Sequence, residues 1–145
     1  MLNDLILLVE DSEDDVFAFK WAARKAQLKN PLIVVTNGQQ AIDYLSGDGL
    51  YCDRAAFPLP CAVFLDLKLS YRNGLEVLAW IRGQSEVQST PVVILSGSDE
   101  PSERESTSNL QPNGFLEKPV EPDELRRMVN SCCLLRTSSA GVVFL

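Results

Sequence analysis

The sequence predicts a doubly wound α/β domain, a five-stranded parallel sheet with helices on both faces. Three observations predict it. Short apolar runs alternate with helical stretches along the chain. Several runs carry β-branched residues and are bounded by turn residues, as buried strands are. Several also stop on a polar or charged residue, which places that residue at the carboxyl edge of a sheet. Alternating strands and helices close into a parallel sheet through crossover connections.

Taken in order, residues 5–9 read as the first strand and run into Glu10-Asp11. A helix follows from 12 to about 27, with Ser12 as N-cap and Asp14-Asp15 in the first turn, where the helix dipole favours acids. Residues 32–35 form the second strand, and 38 to about 45 a short helix. Residues 47–60 carry Gly47, Gly49, Pro58 and Pro60 and read as a loop. Residues 62–65 form the third strand and run into Asp66; a helix over 74–82 includes an apolar stripe among Leu75, Leu78, Ala79 and Ile81. The fourth strand, 91–95, ends in Ser96-Gly97. A helix is due over 101–110, but that stretch is so polar that a marginal or mobile helix is expected. The fifth strand, 114–116, precedes Lys118-Pro119. The last helix runs from 122 to about 135, with Pro122 in its first turn and Leu125, Val129 and Cys132 on one face. Five such units suit a flavodoxin-like sheet of strand order 2-1-3-4-5.

At 145 residues the chain is expected to be one domain, spanning 1–137, with an apolar tail over 138–145. A composition of 46% hydrophobic and 23% charged residues is ordinary for a globular protein. The net charge of −7 argues against nucleic acid and against an anionic membrane surface as partners. The first apolar run lacks a basic flank and breaks on Glu10-Asp11, so it is no signal peptide, and no run approaches a membrane span. A cytoplasmic location is expected. The four cysteines form no C-x-x-C pair, and Cys132 and Cys133 read as core filler. The absence of histidine removes Ser-His and Cys-His catalysis and any role as a phosphohistidine donor.

Chemistry concentrates at the strand ends. Glu10, Asp11 and Asp66 brought to one sheet edge repel one another and call for a cation. Oxygen ligands suit a hard divalent ion, and Mg²⁺ typically takes one or two carboxylates together with water and phosphate oxygens. Each residue has an ordinary explanation alone: Glu10 and Asp11 as helix-capping acids, Asp66 as a loop starter, Ser96 as a cap, Lys118-Pro119 as a turn. Their joint order is harder to explain so. The carboxyl edges of strands one, three, four and five carry Glu10/Asp11, Asp66, Ser96 and Lys118.

This pattern, with Gly74 and Phe115, resembles the receiver domain of two-component response regulators over nearly the whole chain. The Val9-Glu10-Asp11 start and the long loop before strand three look most like the stand-alone receivers associated with phytochrome-type kinases. The resemblance implies that Asp66 accepts a phosphoryl group and forms an aspartyl phosphate. It implies Mg²⁺ as cofactor, with Asp11 as principal ligand, Glu10 acting mostly through water, and Asp66 and the Lys68 carbonyl completing the set. Lys118 and the Ser96 hydroxyl would meet the added phosphoryl charge. Ser96 and Phe115 would form the switch, a population shift between two packings. Ser70 stands where many receivers have proline, and Phe115 where tyrosine is frequent, so a signal carried by that hydroxyl is absent. Lys68 and Ser98 fall where side chains flank the path of attacking water, which makes Lys68 a candidate for tuning phosphoryl lifetime.

A histidine kinase, with the phytochrome type as the narrower match, or a histidine phosphotransfer protein is the implied partner, and homodimerisation is a further expectation. Phe17 and Trp21, four residues apart, either join the core face of the first helix or form a docking patch. The apolar tail, including 141–145, either packs back on the domain or serves a dimer. The function so implied is a single-domain receiver that catalyses its own phosphorylation and dephosphorylation without turning over an independent substrate. A non-phosphorylated pseudo-receiver scaffold is the alternative. A phosphatase-like hydrolase would want a second Asp where Lys68 stands.

Overall fold

The computed structural model describes residues 4–69, 71–97 and 109–139, with side chains through Cys133. Five strands, β1 (Ile6–Val9), β2 (Leu32–Val35), β3 (Ala62–Asp66), β4 (Val92–Ser96) and β5 (Gly114–Glu117), form one parallel sheet in the order β2-β1-β3-β4-β5. Ile6 pairs with both Leu32 and Ala62, so β2, β1 and β3 start level, and β3 runs one residue further, to Asp66. Across the other half, Asp66 stands beside Leu95 and Ser96 beside Glu117. This register brings the residues that close β1, β3, β4 and β5 to one edge.

Side chains alternate across a strand, and the two faces of the sheet divide accordingly. Leu5, Leu7 and Val9 pack with Ala41, Tyr44, Leu45, Val77, Leu78 and Ile81, under helices α2 (Gly38–Ser46) and α3 (Gly74–Gly83). Ile6 and Leu8 pack with Phe19, Ala22, Leu125 and Val129, under α1 (Glu13–Lys25) and α4 (Pro122–Ser139). The central strands are buried on both faces, so their sequences read as continuous apolar runs rather than alternating ones.

Local signals set the helix starts. The Ser12 hydroxyl accepts from the Asp15 N–H at 3.3 Å, and Glu13, Asp14 and Asp15 fill the first turn of α1. Asn37 and Asn73 cap α2 and α3 in the same way. The loop before β3 contains a single 3-10 turn, Gly49–Tyr51, closed by a cluster of Tyr44, Tyr51 and Phe57 rings. Arg54 crosses this loop to donate to the carbonyls of Tyr44, Leu45 and Phe57.

Arg82 ties the far side together. Its Nε donates to the Leu110 carbonyl, Nη1 to those of Gln88 and Thr90, and Nη2 to the Gln111 carbonyl and Asn113 Oδ1, at 2.9–3.1 Å. All five guanidinium N–H groups are thus used, and burial lowers its pKa.

Two expectations are corrected. Cys133 is not simple core filler: it is disulfide-bonded to Cys61, 72 residues away, with Cα atoms 5.3 Å apart. Cys132 beside it is the buried thiol expected, its pKa pushed up to about 11 by burial. Phe17 and Trp21 do not join the core: they are 66% and 46% exposed, while Phe19 and Ala22 make the inward face. Most of the stretch expected as a marginal helix, 101–108, lies outside the described residues, as do Ser70, Ser98 and 140–145 of the tail. Helix α4 continues to Ser139, past the end expected near 135. Among the described residues no helix is long and apolar enough to cross a membrane.

Candidate functional site

The carboxyl edge of the sheet holds an ammonium group among three carboxylates. Lys118 Nζ lies 2.6 Å from Glu10 Oε1, 2.8 Å from Asp15 Oδ2 and 2.9 Å from Asp66 Oδ2. Glu10 follows β1, and its N–H donates to the Val35 carbonyl, so the strand ladder carries on to this residue. Asp66 is the last residue of β3. Lys118 follows β5, where its N–H donates to the Ser96 carbonyl at 2.9 Å and its peptide bond to Pro119 is cis. Three strands separated in sequence thereby fix three of the four groups. Asp15 comes from the first turn of α1.

The electrostatics are those of a crowded, partly desolvated cluster. Burial first, and then the adjoining Asp66 carboxylate, push Glu10 up to about 7 against the pull of Lys118. Burial opposes the charge on Lys118, but its bonds to Asp15, Glu10 and Asp66 outweigh it and hold the ammonium above its ordinary range. Formally the cluster carries three negative charges and one positive. The carboxylate oxygens of Glu10, Asp15 and Asp66 lie within 4.8 Å of one another. An all-oxygen donor set with excess negative charge matches a hard divalent cation.

The loop after Asp66 is built to present that carboxylate. Asp66 Oδ1 accepts from the Lys68 N–H at 3.0 Å, leaving Oδ2 toward the lysine. Gly74 opens α3 where a Cβ would collide with the Asp66 carbonyl oxygen, so only glycine lets the helix start this close beneath the strand end. Tyr71 and Arg72 both adopt left-handed backbone, φ 46° and 67°. Their carbonyls lie against Gly38 of α2, the Gln39 N–H donates to the Tyr71 carbonyl, and Arg72 Nε donates to Gln39 Oε1 at 2.8 Å. The loop is thereby strapped to the start of α2. A cavity of about 220 Å³ opens beside the lysine, between Asp15, Ala18 and Phe19 of α1 and the turn Lys118–Val120.

The sheet edge brings together Glu10, Asp66 and Lys118 as the strand ends suggested. Ser96 is buried at the end of β4 beside them, and Phe115 is half-buried against the face covered by α2 and α3. Lys68 is exposed and meets Asp66 through its backbone. Asp11 is exposed and is not in the cluster of gathered carboxylates; Asp15 is. Sequence reasoning gave Asp15 only a helix-dipole role. The available signal was its place three residues after the N-cap Ser12, in the first helical turn beside the strand end.

Comparison with known proteins agrees with this fold. The model of the response regulator receiver domain matches residues 6–130. Response regulator Rcp1 of Synechocystis sp. is 31% identical over 125 residues, covering 86% of this chain and 83% of its own. Its Mn²⁺-bound form superposes with a TM-score of 0.73 at 29% identity, over 98% of both chains. The bacteriophytochrome response regulator RtBRR gives a TM-score of 0.81 at 34% identity, over 99% of this chain and 81% of its own. The phosphorylated cyanobacterial phytochrome response regulator RcpA gives 0.75 at 26% identity, over 99% of both. The chain belongs to the family of response regulator receiver domains, and its similarity extends to phytochrome-associated members.

Proposed function

We propose that the chain accepts a phosphoryl group on Asp66 from a phosphohistidine donor, with Mg²⁺, and signals through contacts that depend on that modification or passes the group on. The observation that carries this reading is the Lys118 ammonium held between the carboxylates at the ends of β1 and β3. Asp66 is a carboxylate nucleophile at the sheet edge, with one oxygen fixed by the Lys68 N–H and the other facing Lys118. Attack on phosphorus forms the acyl–phosphate bond as the donor's bond to phosphorus breaks. Phosphorylation adds roughly one negative charge to Asp66. Lys118, with its fixed ammonium, and the Ser96 hydroxyl at the end of β4 are the groups to receive it.

As the family resemblance implies, Asp11 would be the principal ligand of the cation, with Asp66 and the Lys68 carbonyl beside it and Glu10 acting mostly through water. Bound there, Mg²⁺ would supply positive charge to offset the negative charge of the phosphoryl oxygens. The Mn²⁺-bound form of the similar Rcp1 and the phosphorylated form of the similar RcpA support both parts of this reading. A movement of Ser96 toward the phosphoryl group, with Phe115 turning further inward, would carry the change to the face of β4 and β5. The donor is a histidine kinase of the phytochrome type or a phosphotransfer protein. The exposed Phe17 and Trp21 of α1, close in sequence to Asp15, would form part of its docking surface. We place the protein in the cytoplasm, where such kinases present their phosphohistidine.

Intact mass after incubation with acetyl phosphate and MgCl₂ tests the reading on wild type and Asp66→Asn. A metal-dependent phosphoryl adduct on wild type alone is expected. No adduct on wild type, together with no beryllofluoride binding, would favour a scaffold that is never phosphorylated.

A further inference from the structure

The third contact of Lys118, to Asp15, belongs to no strand end. We propose that Asp15 is a positioning residue for phosphoryl transfer, aiming the Lys118 ammonium across the site. The inference rests on the reading that Asp66 is the phosphoryl acceptor.

An ammonium has three N–H donors. Here Glu10, Asp15 and Asp66 take one each, at 2.6, 2.8 and 2.9 Å. Lysine carries its charge on a flexible four-carbon stem and has no planar fork to orient it. Three acceptors make a tripod that fixes Nζ, and one leg stands on α1 rather than on the sheet. During transfer an Asp66 oxygen forms a bond to phosphorus. With acetyl phosphate as donor, the bridging P–O bond breaks and its electron pair leaves on acetate. The Asp66 oxygen that becomes the bridging C–O–P oxygen of the acyl phosphate loses its charge and most of its strength as an acceptor. The N–H that pointed to Asp66 is then free for a phosphoryl oxygen, while Glu10 and Asp15 keep the other two. Without Asp15 only one anchor remains, and the lysine can swing into the cavity beside it.

A side-chain change at Asp15 spares the helix cap. Its side chain is 42% exposed. Its part in the helix cap is made by the backbone N–H, which donates to Ser12 Oγ and survives any side-chain change. Asparagine keeps an acceptor oxygen where the carboxylate was but removes the charge; alanine removes both.

The test compares the rate of phosphoryl adduct formation from acetyl phosphate, at saturating MgCl₂, in wild type, Asp15→Asn and Asp15→Ala. Mg²⁺ affinity of the unphosphorylated proteins is measured by calorimetry, and thermal midpoints alongside. Positioning predicts that Asp15→Ala slows the adduct about tenfold, while Asp15→Asn stays within about twofold of wild type, since its acceptor survives. Since the proposed ligands do not include Asp15 and each variant removes only a neighbouring charge, both should weaken Mg²⁺ to the same extent, and their thermal midpoints should agree. An alanine variant as fast as wild type overturns the proposal. So does an asparagine variant as slow as alanine, which would assign the effect to charge. If wild type itself forms no adduct, the acceptor reading fails and takes this one with it; a failure confined to the variants' pattern leaves that reading intact.

Discussion

Removing Lys118 isolates the energetics of the carboxylate cluster. In Lys118→Ala, Glu10 at 1% exposure and Asp66 at 8% lose their counter-charge. Taking away one partner of a buried pair costs about 3–5 kcal/mol. Asp15 is 42% exposed, so its share is largely screened. Because the lysine itself is 17% exposed, the lower end, about 3 kcal/mol, applies at alkaline pH. For a domain of this size that lowers Tm by about 10 °C. The pH dependence follows from Glu10. In the folded protein it keeps its proton up to about 7, whereas the unfolded chain releases it near 4.5. Its contribution to stability is therefore greatest below the unfolded value and is lost as pH rises through the folded one. Without Lys118 the folded value climbs further, so the loss continues to higher pH and its total grows. At about pH 5, where Glu10 is neutral in both proteins, the difference between them should shrink to about half. Magnesium at about a hundred times its Kd should restore about 2.7 kcal/mol at alkaline pH. Urea unfolding followed by circular dichroism, at both pH values and with EDTA or MgCl₂, reads all of this. A loss under about 1 kcal/mol at alkaline pH, or an equal loss at both, would refute the reasoning.

Other substitutions test the scaffold. Arg82→Ala strips five hydrogen bonds from the segments flanking β4 and β5 and should cost about 2–3 kcal/mol in urea unfolding. Arg82→Lys should recover little of it, since an ammonium cannot span the five acceptors. Gly38→Ala would normally favour a helix, yet a Cβ there collides with the Arg72 carbonyl. A loss of about 2 kcal/mol in the same assay is expected, and a gain would show that the strap over α2 yields easily. Cys133→Ser opens a loop of 72 residues and should cost about 4 kcal/mol in non-reducing buffer. Excess dithiothreitol should abolish the difference from wild type.

The parallel sheet was legible because its central strands are buried on both faces, so their runs are unbroken and their ends abrupt. Val9 to Glu10 and Leu65 to Asp66 are such ends. The N-cap of α1 and the sheet order followed from Ser12 and from the alternation of elements. Asp15 was hidden because its role depends on how far the Lys118 side chain reaches, which spacing along the chain does not encode. The pairing of Cys61 with Cys133 was hidden for a related reason. Nothing local marks two cysteines 72 residues apart as neighbours. Phe17 and Trp21 fell between two helical phases, and only the seating of Phe19 against Phe64 decides which face turns inward.

The disulfide divides the molecule into a covalent ring and an open arm. Residues 61–133 form the ring, which carries β3, β4, β5, Asp66 and Lys118; the arm carries β1, β2, Glu10 and Asp15. The site is assembled where the two meet. Since β1 lies between β2 and β3, departure of the arm would remove two strands at once and bare the edge of β3. It would also leave Asp66 and Lys118 as a lone pair. A bared strand edge is a template for pairing with another chain. The ring keeps the three remaining strands tethered in that state, so a single cut within it would release no fragment until the bridge is reduced.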